Sequence, residues 1–337
     1  IAGNGDVVLL ANRANSEATA VWRALAAGAI VEFAPAPFDA AGRMWPAGTL
    51  VVRGARAVLD GAAAELGFDA VAVPRLAAAA GAPAIRRAPR VGLYKSWNAN
   101  MDEGWTRWVL ERLGVPFTSL ADSAVRAGNL RARFDVLILP SEGSGQIRNG
   151  RPAGSVPPEY TGGIGGEGLE ALRAFLQNGG TILALDQASL FAITDLTAPA
   201  SVILGGRGNR DAPTASRFSA PGSIFEVELD RTHPVASGMD SVAAIFFESS
   251  PLLDAAPGGR AIASFRREGS PLLSGYVQGA ELMAGRAALI EAPVGAGRVI
   301  LFGFSPQHRG QTNGTFKLLT NAILYGSSQT GRPAPGR

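Results

Sequence analysis

Apolar residues fall along this chain in short unbroken runs, each followed by a helical pattern. Residues 91–94 (VGLY) read as a buried strand, and a polar loop follows to Met101. Trp105, Trp108, Val109, Arg112 and Leu113 then recur at helical spacing until Gly114 stops the helix. Asp102 reads as the N-cap, with Glu103 in the first turn, where a carboxylate suits the helix dipole. The spacing also makes Trp105 and Trp108 core residues. Residues 115–120 are the next strand. Strand–helix–strand opens a doubly wound α/β sheet, and such sheets bind ligands outside the carboxyl ends of their strands. The loop with Trp97, Asn98 and Asn100 is therefore a candidate rim. Residues 134–140 (FDVLILP) and 181–186 (TILALD) are further continuous apolar runs. Strands of this kind are buried on both faces, so 91–94, 134–139 and 181–185 are expected side by side and parallel.

Upstream, 6–11, 30–34, 49–52 and 68–73 read as strands, with helices at 16–27, capped by Ser16, and at 55–66. This predicts a small α/β unit over 1–76. The Ala-, Pro- and Arg-rich stretch 77–90 reads as a linker. A flavodoxin-like, mostly parallel doubly wound domain is expected over 91–328, then a polar tail, 329–337. Its later strands are placed at 223–229, 243–247, 261–266, 287–293 and 297–304, and its last helix at 311–324. The Gly/Pro-rich stretch 143–166 and the stretch 198–219, with its GGRGNRDAP sequence, read as long loops, the latter mobile.

Composition narrows the function classes. The chain has 337 residues, long for a single core. Its 31 Lys and Arg against 28 Asp and Glu are scattered, with no basic stripe among aromatics, which argues against a nucleic-acid partner. Cysteine is absent, which excludes disulfides, thiolate zinc sites and a Cys nucleophile. No apolar run is long enough to span a membrane. The two histidines, His233 and His308, stand in different motifs, so no metal site and no cofactor are expected. The sequence begins at Ile1 without an initiator Met and reads as a piece or a mature form of something longer.

Two stretches resemble class I glutamine amidotransferase domains. ILALDQA at 182–188 is similar to the Gly-x-Cys-x-Gly elbow, with Asp186 at the Cys position. GRVILFGFSPQ at 297–307 is similar to the strand and Phe-His-Pro-Glu signature, with Ser305 at the His position and Gln307 at the Glu position. The resemblance implies an amidotransferase-like fold with a degenerate triad, lacking the thiolate, base and orienting carboxylate that glutaminase chemistry needs. It also implies that Asp186, Ser305 and Gln307 lie together at the carboxyl edge of the sheet. A longer resemblance rests on MDEGWTRWVLE, AGNLRARFDVLILP, PPEYTGGIG and GFSPQHRGQT. These are similar to the C-terminal region of large bacterial zinc-carboxypeptidase-like proteins. That resemblance implies an upstream zinc peptidase domain as partner within the same polypeptide, and export to the periplasm or beyond. The peptidase's His-x-x-Glu motif is absent here, so this chain reads as a non-catalytic accessory region.

Two other functions stay open. One is a hydrolase using Asp186, Glu142 or Glu159 with His308. The other is a binding module for a small molecule or peptide, its candidate residues being Trp97, Asn98, Glu142, Glu159, Tyr160, Gln187 and His308. At Asp186 a helix-capping role is favoured over a catalytic one. His233, before Pro234, reads as a turn residue. The glycine run at 162–166 lacks the Lys-Ser/Thr pair of a phosphate loop.

Overall fold

Runs of four or five apolar residues set the strands. The computed structural model describes residues 1–77, 82–205 and 217–328. Of the stretch 198–219 expected to be a mobile loop, 206–216 lie outside the described residues, while Ala200–Gly205 form a strand; the tail 329–337 lies wholly outside them.

The first part comprises β1 (Val7–Leu10), α1 (Asn15–Ala26), β2 (Ile30–Phe33), β3 (Phe38–Ala40), β4 (Arg43–Trp45), β5 (Leu50–Arg53), α2 (Arg56–Leu66), β6 (Val71–Val73) and β7 (Ala84–Ile85). Its main sheet runs β6-β1-β5-β2-β7 and is antiparallel at every pairing. β7 lies inside the stretch read as linker, and its pairing with β2 ties that stretch to the small unit. The β3–β4 hairpin has no apolar run to announce it. Trp45 anchors it, fully buried and donating Nε1–H to the Ala40 carbonyl at 3.1 Å. Ser16 does not cap α1. Ala14 stands at the N-cap, and the Glu17 carboxylate accepts the Ala14 and Asn12 amides at 2.6 and 3.2 Å.

The second part comprises β8 (Val91–Lys95), α3 (Met101–Arg112), β9 (Thr118–Ala121), α4 (Asp122–Arg126), α5 (Leu130–Arg133), β10 (Val136–Leu139), α6 (Ser144–Asn149), α7 (Gly165–Gln177), β11 (Thr181–Leu185), α8 (Ala188–Thr194) and β12 (Ala200–Gly205). It continues with β13 (Ser223–Leu229), β14 (Val242–Phe247), β15 (Pro251–Ala255), β16 (Arg260–Phe265), β17 (Leu272–Ser274), β18 (Ala287–Val294), β19 (Gly297–Phe302) and α9 (Phe316–Ser327). One large sheet runs β14-β13-β16-β18-β19-β11-β10-β8-β9. β9, β8, β10, β11 and β19 are parallel, with Val136 opposite both Val91 and Thr181 as the apolar runs predict. The sheet is mixed rather than mostly parallel, because β18, β16, β13 and β14 continue it antiparallel. Beyond β11, the consecutive strands β13–β14 and β18–β19 are antiparallel hairpins. The Gly295–Ala296 turn joining β18 to β19 is far too short for a parallel crossover. The protein is thus mixed α/β with a large mixed sheet.

Both faces of the sheet are covered. One core gathers Val109, Phe302 and Leu319 with Val8, Trp22 and Phe33 of the N-terminal unit. The other gathers Tyr94, Leu139, Phe175 and Phe191. α3 starts one residue before the expected cap. Its N-cap is Asn100, whose side chain accepts the Asp102 and Glu103 amides at 2.9 and 3.3 Å and donates to the Ser141 carbonyl at 3.2 Å. Asn100→Ala is expected to lower stability by about 1 kcal/mol in urea unfolding, the scale of a lost cap; an unchanged midpoint would contradict the assignment. Trp105 and Trp108 are not core, at 37% and 39% exposed. The buried stripe of α3 is Glu103, Thr106, Val109 and Leu110, which turns the indoles outward and edge-on to each other.

Candidate functional site

A cleft of about 260 Å³ opens at the carboxyl ends of the parallel strands. Each wall is supplied by residues just beyond a strand. Asp102 and Trp105 come from the first turns of α3 after β8, Ser141 and Glu142 follow β10, and Asp186 follows β11. Ser305, His308 and Arg309 follow β19, and Glu248 follows β14.

Two aspartates and two serines interlock there. The Ser141 amide donates to Asp102 Oδ2 at 2.8 Å, while its hydroxyl donates to Asp186 Oδ2 at 2.7 Å. Ser305 Oγ donates to Asp102 Oδ1 at 2.9 Å. Burial pushes the Asp102 carboxyl up to about 6, and the nearby Asp186 carboxylate adds to this. The Ser141 amide and the Ser305 and Gln307 side chains pull the other way by holding the ionised form. Asp186 sits at a sharp strand-to-helix turn with φ of +48°, a left-handed conformation that a non-glycine residue adopts only where its surroundings enforce it. Its amide donates to the Phe302 carbonyl at 2.9 Å, which pins the turn to β19. Asp186 does not cap α8. Gln187 stands at that N-cap with no side-chain cap bond, and the Asp186 carboxylate is engaged by Ser141 instead.

Glu142 forms the floor on the β10 side, 5% exposed. Ser96 Oγ and Asn98 Nδ2 donate to its Oε1 at 2.7 and 3.1 Å, while Oε2 is buried with no hydrogen-bond partner among the described residues. Burial raises the Glu142 carboxyl, helped by the Asp122 carboxylate and opposed by the Ser96 and Asn98 bonds.

Of the residues singled out in the sequence, Asn100, Asp186, Ser305, Glu142 and His308 line the cleft, and Asn98 supports Glu142. Gln307 is fully buried behind α3 and donates Nε2–H to Thr106 Oγ1 at 2.9 Å. Gln187 is buried too, its amide donating to the Ser249 carbonyl at 3.3 Å. Trp97 and Tyr160 pack edge-on at 4.8 Å, but neither they nor Glu159 lines the cleft. His233 is more than a turn residue, being buried and bonded to Glu291. Asp102, Ser141, Trp105, Glu248 and Arg309 were not singled out as site residues. Asp102 was masked by its helix-start position and Trp105 by its helical spacing. Ser141 follows a doubly buried strand, the one signal that could have marked it. Among the described residues no group of three or more His, Asp or Glu is placed to hold a metal ion.

The paired aspartates yield a direct test. Asp186→Asn removes a negative charge close to Asp102 but keeps an oxygen for the Ser141 hydroxyl. The Asp102 carboxyl should then titrate lower than in the wild type, read by carbon-13 NMR. An unchanged titration would show that the two carboxylates are not coupled.

No family model matches the chain, and no curated protein matches it. Among solved structures it is similar to a GMP synthase subunit from Thermoplasma acidophilum, with 10% identity, 72% of this chain and 95% of that chain covered, and a TM-score of 0.44. A ThuA-like protein of Bacteroides uniformis gives 11% identity, 77% and 97% coverage, and 0.42. A β-galactosidase of Bacillus circulans sp. alkalophilus gives 14% identity, 73% and 32% coverage, and 0.41. Identities this low transfer no residue's role from those proteins to this one.

Proposed function

We propose that residues 91–328 form a flavodoxin-type, amidotransferase-like domain that binds a small, donor-rich ligand in its cleft and does not hydrolyse glutamine. One observation carries this reading. Ser141 and Ser305 both direct their hydroxyl protons onto aspartates, which supports two carboxylates facing the cleft as acceptors. The ligand that fits presents donors, as an amine or a polyol does, with Trp105 beside it for stacking. The parallel strands follow the order second, first, third, fourth, fifth, which supports a flavodoxin-type arrangement with the site at the strand ends. The positive φ at Asp186 supports reading residues 182–188 as an elbow whose nucleophile has been replaced.

The test is a titration with lysine, spermidine, glucose and galactose, following the Trp105 indole by NMR. Saturable shifts that vanish in Asp186→Asn are expected, as is no ammonia from glutamine. Glutamine turnover, or no shift from any of these probes, would overturn the reading. We also infer that the chain is an accessory region of an exported zinc-carboxypeptidase-like protein. This rests on the stretches MDEGWTRWVLE and GFSPQHRGQT, and a reading frame upstream of Ile1 without His-x-x-Glu would remove it.

A second reading is a hydrolase with Asp102 as its acid–base group. Its support is the Asp102 carboxyl near 6, the region where a proton donor works best close to neutrality. Hydrolysis of p-nitrophenyl glycosides or esters, abolished by Asp102→Asn, would establish it; absence of turnover across both substrate sets leaves the binding reading.

A further inference from the structure

β14 is the last strand of the large sheet and pairs only with β13 among the described residues. Beside it lies a groove of about 720 Å³. Consecutive residues of the strand, from Val242 to Phe246, all line this groove. Side chains alternate between faces along a strand, so consecutive lining residues mean that the groove follows the open backbone edge. Ile224, Val242 and Ala244 add an exposed apolar face to it. An edge of this kind presents a row of unpaired amides and carbonyls, the template for adding one more strand.

The far side of the groove decides what can add. It is formed by residues 311–314 and by Arg13 and Asn15 of the N-terminal unit. Asn15 Nδ2 donates to the Asn313 carbonyl at 2.9 Å, which closes these pieces into one wall. A slot walled on its far side suits a single extended chain laid along the strand. Charge then selects the chain. Arg13 is exposed and makes no ion pair among the described residues. Lys317 also lines the groove, held by the Asn12 side chain and the Ala14 carbonyl. Asp240 is the acid on the same lining. At the other end His308 stacks on Phe246 with ring centres 4.0 Å apart, and it lines the carboxylate cleft as well.

We propose that β14 and its groove are a docking site for an extended, acidic polypeptide segment. The segment adds as a strand along Val242–Phe247, sets apolar side chains against Ile224 and Val242, and places an Asp or Glu side chain on Arg13. Six residues of strand span about 20 Å, so a segment of that length fills the site.

The test starts from a displayed library of random dodecapeptides selected on the full chain, in parallel with Arg13→Glu. Arg13 is exposed and outside the core, so the variant keeps its fold. Peptides enriched on the wild type should carry acidic residues among β-forming ones. They should slow hydrogen exchange at amides within Val242–Phe247, and they should bind Arg13→Glu about tenfold or more weakly, as expected for a close charge pair at an interface. No enrichment, enrichment indifferent to Arg13→Glu, or protection elsewhere would overturn the proposal. So would a concentration-dependent dimer in ultracentrifugation that protects the same amides without peptide, since a second copy would then be the occupant. The readout lies on β14 and Arg13, so failure of the cleft to bind amines or polyols leaves this proposal standing.

Discussion

Replacing Asn321 by alanine should lower the stability of the chain by about 3 kcal/mol, one of the largest effects open to a single substitution outside the apolar core. Asn321, on α9, is the hub of a buried polar knot between the N-terminal unit and the large sheet. Its Oδ1 accepts from Asn12 Nδ2 at 2.9 Å, and its own amide donates to the Val235 and Ser237 carbonyls at 3.0 and 2.8 Å. Asn12 also donates to Ser237 Oγ at 2.9 Å, and Lys317 Nζ reaches Asn12 Oδ1 at 3.3 Å. Asn12, Ser237 and Asn321 are each 1% exposed, so no solvent replaces a lost partner. Burial has already pulled the Lys317 ammonium down to about 8. Truncation leaves several buried groups short of a partner, each costing about 1–3 kcal/mol before relaxation. Urea unfolding followed by tryptophan fluorescence checks this. Trp22 and Trp45 report on the N-terminal unit, while Trp97, Trp105 and Trp108 report on the second part. A loss well under 1 kcal/mol would mean that the knot is not what joins the two.

The strands were the most legible part of the fold, and the reason is physical. β8, β10 and β11 are buried on both faces, which forces unbroken apolar runs that no other element of this length needs. β17 reads LLS and β4 reads RMW, short stretches whose strand character comes from their partners. The turn from antiparallel to parallel pairing at β18–β19 was invisible for a different reason. Both strands are apolar, and only the brevity of the turn between them dictates direction. In the cleft, the motif frames found Asp186 and Ser305 because each follows a strand at a fixed offset. They could not find what holds the two. Ser305 reaches Asp102 across 203 positions, and Ser141 reaches Asp186 across 45. Asp102 looked like a cap because a capping aspartate and a site aspartate occupy the same place at a helix start. The aromatic pair Trp97–Tyr160 is the converse case, an exposed loop feature that attracts a binding role by composition alone yet stands outside the cleft.

Glu291→Gln should cost about 2 kcal/mol near neutral pH, and that difference should fade in acid. Glu291, on β18, collects three donors. His233 Nε2 lies 2.8 Å from Oε2, while Arg298 and the Tyr325 hydroxyl reach Oε1 at 3.0 and 2.9 Å. The tautomer of His233 follows from its other nitrogen. Nδ1 accepts the Val235 amide at 3.2 Å, so the hydrogen sits on Nε2 and points at the carboxylate. Burial by itself would raise the Glu291 carboxyl. The His233 hydrogen bond, the Arg298 guanidinium and the Tyr325 hydroxyl outweigh it and bring the carboxyl down to about 2. An unfolded glutamate titrates near about 4.3, so the folded form binds its proton later than the unfolded form does. Stability from this group is therefore complete above about pH 4.3 and is lost as the pH falls towards about 2. The gap of roughly two units corresponds to about 3 kcal/mol, reduced here because the side chain keeps some contact with solvent. Glutamine carries no charge at any pH and offers one acceptor where the carboxylate offers two. Wild type and variant should differ in urea midpoint near neutrality, narrow below about pH 4 and converge by about pH 2. A difference that stays constant from neutral to acid pH would show that the lost interaction is geometric, with the charge on Glu291 contributing nothing.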